Sequence, residues 1–373
     1  MTSNIKNNMR VAFVTAVFPP TRGGMCTAAL AEVTELAKKH EVTVFTLQTD
    51  NPRKDLVVDR AVSVPVVRLR GLPRISLGGM VPQLFARLRG SDVVYAQLPA
   101  YGFMEVLILW KMITRKRLVV TVHMDPIGVG VFKILFKIQR VVLQSLINRA
   151  DAVRISTKHF ASDALFKNVV PDKISIIPFG IDTQRFSPAS EAKKLVYLFV
   201  GRLSRTHYFK GVEILLRAFK AVSEKNSSAE LWIVGDGDER KNYEQLAGKL
   251  VIASHVRFLG AVSDEELPTL YRQAAVFVLP STDTSETFGI VLLEAMASGV
   301  PVIASRLPGV DSVVMHGVTG FLIEPGSEVE LKNALRDVAS NRKQWEDRGV
   351  QARMRASEYG DWSVIADKIG SLL

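Results

Sequence analysis

Short runs rich in valine and isoleucine alternate with longer amphipathic stretches along the whole of this 373-residue sequence. This alternation is typical of parallel β-sheets whose two faces are covered by helices. The series stops at residues 178–188, which are rich in proline, glycine and aspartate, and then begins again. Because a chain of this length exceeds what one hydrophobic core usually supports, the sequence predicts two doubly wound, Rossmann-like α/β domains in tandem, at residues 1–182 and 183–360.

The same alternation predicts the individual elements. The strands are expected at residues 10–15, 41–47, 64–69, 92–96, 118–123, 152–155 and 174–177 in the first domain, and at 195–200, 230–234, 256–259, 276–279, 301–304 and 320–323 in the second. Helices are expected at residues 27–39, 133–148, 212–224, 264–273, 290–297 and 328–339. A last helix, within residues 361–373, is expected to cross back onto the first domain. Ligands of such sheets bind beyond the carboxyl ends of the strands, so the loops there are the candidates for a functional site.

The positive charge of the chain is concentrated in its first half. Residues 1–182 contain 25 lysines and arginines against 13 aspartates and glutamates, whereas residues 183–373 contain 23 against 24. Such a field attracts anionic surfaces or substrates. Since no basic groove interleaved with aromatic residues accompanies it, we expect no nucleic acid partner, and an anionic membrane leaflet or a phosphorylated acceptor is favoured.

A single cysteine, Cys26, suits a reducing cytoplasm, and neither a signal peptide nor an apolar run of membrane-spanning length is evident. We therefore expect a cytoplasmic protein. Residues 133–140 combine basic and apolar side chains in one helix, which either lies on an anionic membrane surface or buries its apolar positions in the core. The basic residues at 87–89 and 115–117 favour the membrane, at its cytoplasmic face.

The segment at residues 280–290 carries the strongest chemical signal. It contains Glu286 and leads into a helix that holds Glu294, with residues 287–290 at the helix start. Backbone N–H groups at a helix start lack internal partners and favour an anion. Such a helix start would hold a diphosphate, with Glu286 at a sugar and Glu294 at the hydroxyls of a ribose. The alternative is an ordinary capped helix, in which Ser285 is the cap and Glu294 faces solvent.

Two basic residues of the loop after the first strand of the second domain are candidates for binding a diphosphate. Arg202 follows Gly201 directly after the strand, and Lys210 closes the loop. Negative charge develops on a diphosphate as it leaves, and positioned cations stabilise that charge, Arg as a planar fork and Lys as a point charge. Taken as isolated residues, both would instead be solvated surface cations.

In the first domain the candidates are a glycine pair, a histidine and an aspartate. Gly23 and Gly24 follow the first strand, where they permit close approach of a donor phosphate or an acceptor, although most such pairs are simple turns. His123 closes the strand at residues 118–123, and its alternative role is that of a hydrogen-bonded histidine at a strand end. Asp125, two positions later, is a weaker candidate on the acceptor side.

These motifs together resemble the retaining glycosyltransferases of family 4, which have the GT-B fold of two Rossmann-like domains facing a central cleft. The resemblance covers nearly the whole chain. It is carried by Glu286 and Glu294 with residues 295–304, by residues 178–182 with Phe186 and Pro188, by residues 201–203, by Lys210 with Gly211, by residues 235–237 and by residues 317–321. One departure is the insertion at residues 205–209, which lengthens the spacing from Arg202 to Lys210 and makes Arg205 a substitute candidate for Lys210.

The resemblance implies that the first domain binds the acceptor and the second the nucleotide-sugar donor, a UDP- or GDP-sugar. It implies catalytic roles for His123, Arg202, Lys210 and Glu286, with His123 reaching the hydroxyls of the donor sugar. The residues assigned to donor binding are Gly23, Gly24, Gly201, Gly235, Val262, Phe288, Gly289, Ile290 and Glu294. The acceptor supplies a hydroxyl and is expected to be anionic, lipid-linked or a glycan of the cell envelope.

A metal site at Asp236 and Asp238 is the alternative to a donor-binding loop at residues 235–239. GT-B enzymes generally hold the diphosphate without a metal, and the sequence shows no other cluster with metal-ligand spacing, so neither a metal nor a cofactor is expected.

Three other functions remain open. A GT-B sugar-nucleotide epimerase would share the fold, although the spacing of Glu286 and Glu294 argues against this function. A dinucleotide-dependent oxidoreductase also suits tandem Rossmann-like domains, but the first strand lacks the glycine-rich dinucleotide turn. A non-catalytic sugar-nucleotide binder is disfavoured because the candidate catalytic residues occur together.

Overall fold

Each of the predicted strands is present in the computed structural model, which describes residues 8–71, 78–124, 133–162, 164–188 and 194–373. The strands are β1 (Arg10–Val14), β2 (Glu41–Leu47), β3 (Val66–Leu69), β4 (Val93–Leu98), β5 (Arg117–Val122), β6 (Ala152–Ile155), β7 (Ile174–Ile176), β8 (Val196–Val200), β9 (Glu230–Val234), β10 (Val256–Gly260), β11 (Val276–Leu279), β12 (Val302–Ser305) and β13 (Gly320–Ile323). They form two parallel sheets, in the orders β3-β2-β1-β4-β5-β6-β7 and β10-β9-β8-β11-β12-β13. The predicted α/β fold with two Rossmann-like sheets is confirmed.

Most of the helices connect successive strands, and the last three follow β13. They are α1 (Gly24–Leu36), α2 (Pro52–Ala61), α3 (Gln83–Arg87), α4 (Met104–Thr114), α5 (Lys133–Arg149), α6 (Lys158–Ala161), α7 (Val212–Ser223), α8 (Arg240–Lys249), α9 (Leu267–Gln273), α10 (Ile290–Ala297), α11 (Glu328–Ser340), α12 (Arg342–Ser357) and α13 (Trp362–Gly370). No helix among the residues that the structure describes is long and apolar enough to cross a bilayer.

The chain divides into two compact units. Unit 1 comprises Met1–Gly180 together with Trp362–Leu373, and unit 2 comprises Ile181–Asp361. The division lies two residues before the boundary expected from the sequence, and α13 belongs to unit 1.

The sheet of unit 1 is buried on both faces because its central strands are apolar throughout. Every residue of β4 is buried. One face packs against α4 and α5, where Trp110 and Leu146 are in the same apolar cluster. The other face packs against α1 and α13, where Val33 and Ile369 share a second cluster. Helix α13 therefore completes the core of a unit from which it is distant in sequence.

The order of the strands determines where a ligand can bind in each unit. In unit 2 the chain winds from β8 outward to β10 and then returns to β11 on the other side of β8. The crevice at such a reversal, beyond the carboxyl ends of the two adjacent strands, is the usual ligand site of an open α/β sheet. In unit 1 the same reversal lies between β1 and β4.

We expect Ile369→Ala to destabilise unit 1 by about 2–5 kcal/mol, because it removes a fully buried side chain that packs between α13 and the sheet. Thermal or denaturant unfolding measures this effect. The control is Val364→Ala, which truncates an exposed side chain of the same helix and should change stability little. Equal stability of the two variants would show that α13 does not contribute to the core.

Candidate active site

Three loops of unit 2 lie at the carboxyl ends of its central strands. Residues 201–211 follow β8, residues 235–239 follow β9, and residues 280–289 follow β11. Since β8 and β11 are adjacent at the reversal of strand order, the first and third loops flank the expected crevice. The predicted glycines Gly201 and Gly235 are the residues that directly follow β8 and β9.

The loops after β8 and β9 touch through their backbones. The N–H of Leu203 donates to the carbonyl of Asp236 at 3.1 Å, and the N–H of Glu239 donates to the carbonyl of Leu203 at 2.9 Å. Gly235 has a φ of +131°, and a Cβ at this position would overlap the carbonyl oxygen of Gly201. Only glycine allows this approach.

The loops after β8 and β11 are joined in the same way. The N–H of Thr282 donates to the carbonyl of Phe209 at 2.7 Å. A Cβ at Gly211, whose φ is +72°, would overlap the carbonyl oxygen of Pro280. The short 3-10 segment Arg205–Lys210 therefore lies directly against the loop that contains Glu286.

Lys210 and Glu286 form an ion pair at the junction of these two loops. The distance from Nζ of Lys210 to Oε2 of Glu286 is 2.5 Å, and the hydroxyl of Ser281 donates to the same oxygen at 3.2 Å. The side chains of Lys210 and Glu286 are only 16% and 8% exposed. Because removing two charges from water is costly, such a buried ion pair contributes little to the stability of the fold. Its consequence here is that a cation and a carboxylate lie side by side at the crevice.

The two arginines of the β8 loop differ in their surroundings. Arg202 is exposed, and its charge acts on the nearby ring of His207, as does that of Lys210. Arg205 is 82% exposed at its side chain and pairs with Glu239 at 3.3 Å. The structure thus places Lys210, and not Arg205, against Glu286, despite the insertion between Arg202 and Lys210.

Helix α10 begins at Ile290, as predicted, and of the other residues expected around its start Thr287 and Phe288 lie in the loop before the N-cap. Gly289 is the N-cap residue, with a left-handed φ of +77°, and no side chain caps the helix. The side chain of Phe288 is buried and makes an edge-to-face contact with Tyr359 at 5.9 Å. Because these side chains are turned to the interior or absent, what the helix start can offer to a ligand is its backbone N–H groups.

Glu294 is buried, so the alternative in which it faces solvent is wrong. The hydroxyl of Tyr271, itself fully buried, donates to Oε2 of Glu294 at 2.9 Å. Burial raises the pKa of Glu294 to about 7. A buried carboxyl held by one tyrosine retains lone pairs with which it can accept further hydrogen bonds when ionised.

His123 lies in unit 1 directly after β5. Its backbone N–H donates to the carbonyl of Leu98 at 2.9 Å, and its ring stacks on Phe179 with a centroid distance of 5.5 Å. Burial, aided by the charge of Arg154, lowers the pKa of His123 to about 3, so the ring is neutral at pH 7. Nε2 is buried, and none of the described residues forms a hydrogen bond with it. A neutral ring with an unpaired nitrogen can form a hydrogen bond with a substrate, but it cannot act as a protonated general acid.

A buried polar network beside His123 escaped the sequence analysis. Arg154 forms an ion pair with Glu32, and both side chains are almost completely buried. Arg154 also donates to the carbonyls of Ile177 and Pro178 at 3.0 and 2.9 Å, which fixes the chain that carries Phe179. The sequence does contain one sign of this network, since Arg154 is a charged residue within the apolar run of β6.

The remaining predicted residues occupy loops and helix starts. Gly23 is the N-cap of α1, Gly24 is its first residue, and both are exposed. Val262 is partly exposed in the loop between β10 and α9. Asp125 lies outside the described residues. Within the part of the chain that is described, no group of three or more His, Cys, Asp or Glu residues could hold a metal ion.

Comparisons with known proteins match both halves of the chain. The sequence model of the family described as Glycosyltransferase Family 4 matches residues 22–185, and that of Glycosyl transferases group 1 matches residues 180–359. A GDP-mannose-dependent alpha-(1-6)-phosphatidylinositol monomannoside mannosyltransferase of Mycolicibacterium smegmatis is 27% identical, over 96% of this chain and 97% of its own. A D-inositol 3-phosphate glycosyltransferase of Corynebacterium glutamicum is 26% identical, over 98% and 96%.

Two solved structures resemble this one in fold. HepE of Anabaena in complex with UDP has a TM-score of 0.77 and 24% identity, and the match covers 97% of this chain and 98% of HepE. Sucrose-phosphate synthase of Thermosynechococcus elongatus has a TM-score of 0.76 and 22% identity, with 98% of each chain covered. The fold is therefore that of GT-B glycosyltransferases.

The raised pKa of Glu294 predicts a pH-dependent stability. Because the pKa lies above the ordinary value of 4.5, the folded chain binds more protons than the unfolded chain between about pH 4.5 and 7, and stability is lost as the pH rises through this window. Glu294→Gln cannot ionise and still accepts from Tyr271. We expect it to unfold roughly 3–6 °C above the unchanged chain at pH 8, with a smaller difference at pH 5, in thermal unfolding scans. A difference in melting temperature between the variant and the unchanged chain that is the same at pH 5 and pH 8 would contradict a raised pKa of Glu294.

Proposed function

This chain belongs to glycosyltransferase family 4, and from that premise we propose that it transfers a hexose from a UDP- or GDP-sugar to a hydroxyl of an acceptor, with retention of configuration at the anomeric carbon. The observation that carries the proposal is the contact of Lys210 with Glu286 at the strand reversal of unit 2. A cation for the leaving diphosphate and a carboxylate for the sugar lie next to each other there, as transfer of a glycosyl group requires.

In the proposed mechanism the donor is held along its length by groups of unit 2. Arg202, Lys210 and the backbone N–H groups at the start of α10 bind the diphosphate, and they stabilise the charge that develops as the bond to the anomeric carbon breaks. Glu294, once ionised, accepts hydrogen bonds from the ribose hydroxyls. Glu286 accepts hydrogen bonds from the hydroxyls of the sugar.

The chemical step exchanges one bond at the anomeric carbon for another. The bond to the diphosphate oxygen breaks, the acceptor oxygen forms its bond from the same face, and the hydroxyl proton passes to a phosphate oxygen of the leaving group. His123 is assigned to a hydroxyl of the sugar, as a neutral hydrogen-bonding group. Its low pKa suits this role, since so weak a base does not compete with the leaving group for the proton. No metal or other cofactor has a part in this scheme.

We propose an anionic, lipid-linked acceptor. The excess of positive charge in residues 1–182 suits a phosphorylated acceptor. The mannosyltransferase relative acts on a phosphatidylinositol monomannoside, and the other relative is named for inositol 3-phosphate. Both names contain a phosphorylated inositol, which carries negative charge and hydroxyl groups.

An exposed apolar ridge on unit 1 supports contact with a membrane. It consists of side chains at helical spacing on the adjoining helices α4 and α5, which are Leu109, Met112, Ile113, Ile134, Ile138 and Val141. The interpretation of residues 133–140 as plain core is wrong for Ile134 and Ile138, which are 72% and 56% exposed. Arg115, directly after α4, and Lys137 of α5 are also exposed. Apolar side chains with basic neighbours suit the surface of an anionic leaflet, so we propose peripheral contact at the cytoplasmic face.

We expect Lys210→Ala and Glu286→Ala each to lower the rate of transfer by about 10²–10³-fold, because Lys210 stabilises the charge on the leaving diphosphate and Glu286 positions the sugar. The measurement is release of UDP or GDP from nucleotide sugars in the presence of an acceptor, with thermal unfolding to show that the variants are folded. Arg217→Ala, which breaks the exposed pair with Glu213 in the same unit, is the control and should turn over normally. Near-normal turnover of either active-site variant would exclude the role assigned to it.

For the membrane contact, we expect the chain to co-sediment with phosphatidylglycerol vesicles at low salt and to be released at high salt, since the attraction is partly electrostatic. Ile134→Glu combined with Ile138→Glu should abolish sedimentation. The matched control is Val350→Glu combined with Met354→Glu, two exposed apolar residues of α12 in unit 2. Equal binding to phosphatidylcholine vesicles, or equal loss in both double variants, would rule out the ridge as the membrane surface.

A further inference from the structure

The segment between Arg202 and Lys210 contains a histidine that the proposed mechanism does not use. His207 lies in the 3-10 segment Arg205–Lys210 and interrupts it, with φ −114° and ψ 24°. The segment is fixed at both ends, by the backbone contact of Phe209 with Thr282 and by the hydrogen bond from the N–H of Arg205 to Asp238 at 2.9 Å. The position of His207 is therefore set by the same contacts that place Lys210.

The ring of His207 is half-buried and held by two hydroxyl groups. Nδ1 lies 2.7 Å from Oγ of Ser204 and 3.0 Å from Oγ1 of Thr206, and the ring lies against that of Phe209 at 5.8 Å. A hydroxyl that donates to Nδ1 places the ring proton on Nε2. None of the described residues forms a hydrogen bond with Nε2, so in the tautomer in which a hydroxyl donates to Nδ1 the N–H at Nε2 is available to a ligand.

Four charged side chains act on the ring, and two of them are the cations assigned to the diphosphate. Arg202 and Lys210 disfavour a charged imidazole, while Glu286 and Asp238 favour it. Burial and the two cations prevail and lower the pKa of His207 to about 4. At neutral pH the ring is therefore uncharged, and it is close enough to Arg202 and Lys210 for their charges to act on it.

We propose that His207 is a third side chain that binds the diphosphate of the donor, with Nε2–H donating to a phosphate oxygen beside Arg202 and Lys210. This inference rests on the proposed function of unit 2 as the donor site. The insertion at residues 205–209 then adds a neutral donor to the two cations, and Ser204 and Thr206 orient it through Nδ1.

The test is isothermal titration of UDP, GDP, uridine and guanosine into the unchanged chain and its variants. For the diphosphate that the unchanged chain binds, we expect His207→Ala to weaken affinity about tenfold, as for loss of a hydrogen bond to a charged group, and to leave affinity for the matching nucleoside within about twofold. His207→Gln should retain most of the affinity, because its side-chain amide can donate from nearly the same place. The control is His255→Gln, in which the histidine replaced contacts the carbonyl of Ala229 in the same unit.

The outcomes separate this inference from the function on which it rests. If the unchanged chain binds neither UDP nor GDP, the donor site itself is wrong and the role of His207 falls with it. If the unchanged chain binds one of them and both His207 variants bind it as tightly as the unchanged chain does, only the role of His207 is overturned. An equal loss of affinity for the nucleoside and the diphosphate would make His207 a support of the loop and would likewise overturn the inference.

Discussion

Backbone-to-backbone contact between the three loops of unit 2 is the constraint on which the candidate donor site depends. A Cβ at Gly235 or Gly211 would overlap a carbonyl oxygen of the neighbouring loop, so any other residue there must push the loops apart. With the loops in contact, Lys210 and Glu286 meet although they are 76 positions apart in sequence. Desolvating the pair is unfavourable, and the strands and close backbone contacts that surround it hold the two side chains together despite this penalty.

Unit 1 uses a buried ion pair for a related purpose. Glu32 of α1 and Arg154 of β6 neutralise each other in the interior, and Arg154 also holds the chain at Ile177 and Pro178. Phe179 is thereby placed against the ring of His123, which stays neutral. In both units, a buried charge that would be unfavourable by itself is paired with an opposite charge. These ion pairs fix the positions of the groups that are assigned to the substrate. In each unit, the candidate residues therefore depend on interactions that contribute little to stability themselves.

The sequence predicts the strands well because strands buried on both faces are continuous apolar runs. The bounds of β2, β6, β9, β11 and β13 agree to the residue, as do those of α10. Helix starts are less predictable: α1 begins at Gly24 rather than at residue 27, since its N-cap, Gly23, provides no side-chain cap that would mark it. The burial of Glu294 and the network around Arg154 could not be predicted, because they depend on partners brought together by the fold. The order of the motifs, in contrast, predicts both Lys210 and Glu286 as site residues, and the structure brings these two side chains into contact.

The account is tested most directly by a crystal structure of the chain with UDP or GDP bound. It predicts that a phosphate oxygen lies about 3 Å from Nζ of Lys210 and from a backbone N–H at the start of α10, with the ribose hydroxyls on Glu294. A nucleotide bound at another edge of unit 2, with Lys210 still contacting only Glu286, would contradict it.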